Sequence, residues 1–66
     1  MAYTTYVPQI GDIVRKGNGQ TLYRIVSIKP MYGTMRAAVV KATTVNVPRS
    51  LSYYPFDLFM LVNRSN

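Results

Sequence analysis

The run Gly11-Asp12-Ile13-Val14-Arg15-Lys16-Gly17-Asn18-Gly19-Gln20-Thr21-Leu22-Tyr23-Arg24-Ile25-Val26-Ser27-Ile28 constrains the fold more than any other feature. Asn-Gly between strand-forming residues is the strongest short-range hairpin signal, because both central residues of a type I′ turn need positive φ. The run therefore predicts a short strand, a turn centred on Asn18-Gly19 with positive φ at both, and a longer strand over residues 21–29. Centred there, Val14 faces Tyr23, Arg15 faces Leu22, Lys16 faces Thr21 and Gly17 faces Gln20. A four-residue loop about the same centre gives the same pairing. Ile25, Val26 and Ile28 cannot share one face of a strand whose side chains alternate, so a bulge is expected near Ser27.

Pro30-Met31-Tyr32-Gly33 is the next turn, with Gly33 suited to a left-handed conformation. It leads into a strand over residues 35–42, rich in small and β-branched residues. With Tyr32-Gly33 at the centre, Ile25 faces Val40, Tyr23 faces Ala42 and Arg24 faces Lys41. Like charges directly opposite destabilise a ladder. Either the register slips by one residue there, or an anion sits over that face. Thr43-Thr44-Val45-Asn46-Val47 reads as a fourth strand stopped by Pro48. Pro55-Phe56-Asp57-Leu58 suits a single helical or 3₁₀ turn, since proline is favoured in a first helical turn. Residues 59–63 close the fold, residues 64–66 are expected to fray, and residues 1–9 form an arm or an extra strand.

These elements make one domain over residues 1–66. The expected class is all-β: a small five-stranded antiparallel barrel with one helical turn before the last strand. The plan resembles the Src-homology-3-type small barrels, including the KOW and Tudor-like branches. The residues that carry the resemblance are Gly11-Asp12-x-Val14, Tyr23-x-Ile25, and Asp57-Leu58 ahead of Leu61-Val62. It covers residues 10–62 as a plan and only those positions as a motif, and a shared fold by itself implies no activity.

Composition narrows the function classes. A 66-residue chain hides only about 60% of its unfolded surface, so its core is small. It contains neither cysteine nor histidine, which removes disulfides and the usual ligands of zinc, haem and iron–sulfur sites. No cofactor or metal is expected. No apolar run reaches the roughly 18 residues of a membrane helix, and the first ten residues lack signal-peptide character. A cytoplasmic domain is the expectation. General acid–base catalysis wants a histidine or a carboxylate pair, and the two acids Asp12 and Asp57 suit structural posts in a turn and a first helical turn. The chain reads as a non-enzyme.

Eight Lys and Arg against those two acids give a net charge of +6, which draws a small domain toward polyanions. The expected registers place Arg15, Arg24 and Lys41 on one outward face and bring Lys29 and Arg36 together at the far end of the second hairpin. Cations at strand spacing follow a phosphate backbone, and Tyr32 at the loop tip is placed to stack on a base. Nucleic acid, DNA or RNA, is the first expected partner, through Arg15, Arg24, Arg36, Lys41 and Tyr32. The alternative is a protein-interaction module, of the kind a phage accessory or structural protein uses on a host or virion component. It would engage an acidic protein, or self-associate, through Tyr53, Tyr54, Phe56 and Phe59. Charged outward strand positions also serve simply to block aggregation, and an aromatic cluster before a last strand also serves simply to plug a barrel end.

Overall fold

The structure is a computed structural model that describes residues 6–64. Five strands form one antiparallel sheet: β1 (Ile13–Lys16), β2 (Tyr23–Met31), β3 (Thr34–Lys41), β4 (Tyr53–Pro55) and β5 (Phe59–Asn63), in the order β4-β3-β2-β1-β5. A 3₁₀ turn, Phe56–Leu58, joins β4 to β5 and carries Asp57 in its first turn. The all-β class and the single turn before the last strand are as expected, and the sheet is open, with β4 and β5 as its edges.

The first hairpin keeps the expected Val14–Tyr23 pairing but not the expected turn. Positive φ falls on Gly17, not on Asn18 or Gly19, and the Gly19 amide closes onto the Lys16 carbonyl at 3.0 Å. Residues 17–22 connect the strands as a six-residue loop, so Thr21 and Leu22 lie outside β2. Glycine at position 17 supplies the left-handed residue one step early, and Asn18 no longer needs it. The type I′ geometry appears instead at Tyr32-Gly33, with φ of 53° and 80° and Met31 paired to Thr34.

The bulge lies at Val26, between Ile25 and Ser27. It resolves the conflict on the β2–β3 ladder. Before it, Lys29 pairs Arg36 and Ser27 pairs Ala38, as a turn centred on Tyr32-Gly33 requires. After it, Ile25 pairs Val39, Arg24 pairs Val40 and Tyr23 pairs Lys41. The expected pairs Ile25–Val40, Tyr23–Ala42 and Arg24–Lys41 do not form. One extra residue shifts the register by one and moves Lys41 to the face opposite that of Arg24.

Residues 43–47 are turn and bend, not a strand. The β3 edge that they would have joined is taken by β4 through Ala38–Tyr53, Ala37–Tyr54 and Arg36–Pro55. Pro55 is the last residue of β4 and the N-cap of the 3₁₀ turn, with φ −63° and ψ 151°. The N-terminal arm falls largely outside the described residues, and Tyr6 to Gln9 belong to no strand.

The core cluster lies on one face of the sheet, while Ala38 and Val40 are buried on the other. Val14, Ile25, Ala37 and Phe59 are buried together, with Tyr6, Tyr23, Ile28, Val39, Tyr54 and Phe56 packed around them. Strand alternation puts Arg15, Arg24, Ser27, Lys29, Arg36 and Tyr53 on the other face, as their ladder partners require.

Candidate functional site

Two groups of polar side chains stand out, and they have different chemistry. The first is structural. Asp12 is wholly buried, held beside the core by main-chain bonds from Gly11 to the Ile25 carbonyl and from Ile25 to the Asp12 carbonyl. Its carboxylate accepts hydrogen bonds from the Tyr6 hydroxyl at 2.6 Å and the Gln9 amide at 3.0 Å. Arg64 donates to both oxygens, at 3.2 and 3.1 Å, and also to the Val7 carbonyl at 2.9 Å. Burial opposes ionisation of Asp12, but the hydrogen bonds from Arg64, Tyr6 and Gln9, with the Arg64 charge, outweigh it and hold the carboxyl below its ordinary 3.8. Burial, the bond to Asp12 and the Asp12 charge push the Tyr6 phenol well above its ordinary value. Arg64 was expected to fray; a buried carboxylate ties it down instead. Residues 65–66 lie outside the described residues.

The second group lies at the β2–β3 hairpin end. Lys29 and Arg36 are directly opposite in the ladder. The Lys29 ammonium sits 4.5 Å from the centre of the Tyr53 ring, whose hydroxyl is 2.8 Å from Ser27 Oγ. The Arg36 guanidinium lies 5.5 Å from the centre of the Tyr32 ring. Arg36 Nε is buried without a hydrogen-bond partner. Among the described residues the one salt bridge is Arg64–Asp12, so neither cation of this pair has a carboxylate beside it.

Tyr32 is 84% exposed and carries the only positive φ among the described non-glycine residues. A left-handed conformation costs a bulky L-residue roughly 1–2 kcal/mol, whereas an exposed cation–π contact returns about 0.5–1 kcal/mol. Backbone strain therefore outweighs the contact. Tyr32→Asn, which suits this turn position, should raise stability by about 0.5 kcal/mol, read from the midpoint of a urea titration. A loss of stability would mean that the ring holds the hairpin.

The remaining expected site residues are not gathered here. Arg15 lies on the same face as Lys29 but at the other end of the sheet, roughly 20 Å away by strand rise, with its guanidinium 3.1 Å from Met60 Sδ. Arg24 donates to the carbonyls of Ala42 and Thr44 at 3.4 and 3.2 Å, tying down the segment after β3. Lys41 is exposed on the opposite face. The aromatic cluster divides. Phe59 is buried, Tyr54 meets it edge-to-face at 6.4 Å, Phe56 packs beside them, and Tyr53 serves Lys29 on the other face. Lys16 is held between Tyr23 and Tyr54, at 4.6 and 4.7 Å. A groove of about 410 Å³ runs between Tyr6, Val7, Phe56, Asp57 and Phe59, with Asp57 its one charged residue.

No protein-family model, curated protein or solved structure matches this chain. Among the described residues no three His, Cys, Asp or Glu side chains gather to hold a metal, and no helix is long and apolar enough to cross a membrane. What the hairpin end offers is two cations without acidic neighbours and an exposed ring. That is chemistry suited to holding an anion. Lys29 was expected beside Arg36 but not among the nucleic-acid contacts, and Tyr53 was expected in the alternative partner-binding cluster. The Lys29–Arg36 pairing was readable from the turn centre, but the Tyr53 platform depends on β4, which sequence placed elsewhere.

Proposed function

We propose that the protein is a small non-enzymatic Src-homology-3-like barrel that binds nucleic acid mainly through phosphate contacts. The strand order, the bend at the Val26 bulge and the 3₁₀ turn before β5 support the barrel reading. The Lys29–Arg36 pair carries the functional reading. Like charges across a ladder destabilise it, and a phosphate between them would turn that repulsion into binding energy. Arg15 on the same face would be a distant further contact. Arg24 serves the fold, and Lys41 belongs to a different face.

Fluorescence-anisotropy titration of labelled duplexes across a salt series tests this. Three neutralised phosphates should give a slope of log affinity against log salt near −3, at about −0.9 each. Arg36→Ala should bring the slope down by about one unit and weaken all sequences alike, because phosphate contacts carry no base information. Arg15→Ala should do the same if the polymer spans the face. Absence of binding at low salt would overturn the reading.

A partner-protein reading has one observation in its favour. The edge strand β5 exposes Met60, Leu61 and Val62 at 52%, 39% and 47%, and carries no charge. Such an edge invites pairing with another strand, although the register shift opposite Ile13 and Val14 interrupts it. A concentration-dependent mass that is insensitive to salt would support this reading over the first.

A further inference from the structure

We infer that the β2–β3 hairpin end selects single-stranded nucleic acid, stacking one unpaired base on Tyr32 while Lys29 and Arg36 hold the adjoining phosphate. This rests on the nucleic-acid reading above and adds to it the class of polymer and the part of it that is read.

Three observations meet at this place. The first is the conformation of Tyr32. Asn, Asp or Gly would occupy the first position of a type I′ turn without strain, yet a tyrosine is held there at φ 53° with 84% of its surface in water. The ring neither fills the core nor eases the turn, and strain retained for an exposed group points to use of that group. The second is the ring's neighbour. Arg36 lies 5.5 Å from the ring centre, which leaves the rest of the ring open to a ligand. A base stacked there would complete a cation–aromatic–base arrangement, in which stacking and cation–π attraction add. The third is the charge pairing: Lys29 and Arg36 stand directly opposite each other, and among the described residues neither has a carboxylate in a salt bridge. A phosphate would supply the missing negative charge and accept hydrogen bonds from both cations.

Geometry then excludes the duplex from the stacking step. A paired base is already stacked on both faces, so only an unpaired one can lie on an exposed ring without first being extracted, at a cost of a few kcal/mol. Duplex is left with phosphate contacts alone.

The experiment compares three labelled probes of equal length with the full chain: oligothymidylate, the same strand with abasic sites throughout, and a duplex. The abasic strand keeps every phosphate and loses every base. Wild-type protein should bind oligothymidylate roughly 5- to 150-fold more tightly than the abasic strand, equivalent to about 1–3 kcal/mol of stacking. Tyr32→Phe should keep that ratio. Tyr32→Asn, chosen because asparagine suits the turn and so preserves the hairpin, should bring it close to one with the salt slope unchanged. Equal binding of intact and abasic strands by the wild type would overturn the stacking inference and leave the phosphate reading standing. A Tyr32→Asn variant that still prefers the intact strand would overturn it too. Failure of all three probes to bind at low salt would remove the nucleic-acid reading, and this inference with it.

Discussion

Asp12→Ala should cost the fold about 3 kcal/mol, because it leaves the Tyr6 hydroxyl and the Gln9 amide without their acceptor and Arg64 without its counter-ion. A domain of 66 residues has a total stability of only roughly 3–10 kcal/mol, so the variant should be substantially unfolded at moderate temperature. Urea titration followed by circular dichroism measures this directly. The pH dependence gives a sharper signature. The Asp12 carboxyl is held below its ordinary 3.8 in the folded state, so folding favours its ionised form. That contribution is complete above the unfolded value and is lost as pH falls below about 4 through the lowered folded value. Wild-type stability should therefore decline below about pH 4, and Asp12→Asn should lack that share of the decline while starting from a lower plateau. Tyr6 works in the opposite direction. Its raised value favours the neutral phenol, so stability should fall as pH rises above about 10. An Asp12→Asn variant with wild-type stability and an unaltered acid limb would show the network to be incidental.

That network was out of reach of sequence reading for a physical reason. Its members Asp12 and Arg64 stand 52 positions apart, and no local propensity couples them. Asp12 was legible only as a turn aspartate bonding a nearby amide, which it does through Gln9. The Val14–Tyr23 register was legible because a turn centre fixes pairing whatever the turn type. The turn type itself was not, since in the first hairpin Gly17 took up the positive φ that local preference assigned to Asn18 and Gly19. Ile25, Val26 and Ile28 announced the bulge through the failure of alternation, and the bulge then removed the Arg24–Lys41 clash. Residues 43–47 misled because β propensity is mostly a statement about neighbours. The neighbouring edge went to Tyr53–Pro55, and the carbonyls of Ala42 and Thr44 accept hydrogen bonds from Arg24 instead of from a strand.

Charge composition pointed to a polyanion without saying which cations are free to meet one. Register and side-chain contacts make that division: Arg24 and Arg64 are committed to the fold, Lys16 is held between two tyrosines, and Lys29 and Arg36, each over one tyrosine, face each other without a carboxylate in a salt bridge. If the proposed function holds, it and stability load different residues, and substitutions should separate them.

Ile25→Ala is the test on the stability side. Ile25 and Val14 are the largest wholly buried apolar side chains, and Ile25 packs with Val14, Ala37 and Phe59 in a core with little other volume. Removing three carbons there sacrifices their transfer energy and leaves a cavity, at about 2–4 kcal/mol. Against a total of roughly 3–10 kcal/mol the variant should sit near or beyond its unfolding midpoint, whereas Ile25→Val should cost only about 1 kcal/mol. Ile25 also stands directly before the Val26 bulge and bonds through its main chain to Gly11 and Asp12, so its loss loosens the element that sets the β2–β3 register. Binding by Ile25→Ala should track its folded fraction across a temperature series, with the affinity of the folded fraction unchanged. Arg36→Ala should show the converse, with melting at or above that of the wild type, because the like-charge pair is removed, and weakened binding. If Ile25→Ala melted like the wild type, the assignment of that face as the core would fail, and the placement of Lys29 and Arg36 on the opposite face would fail with it.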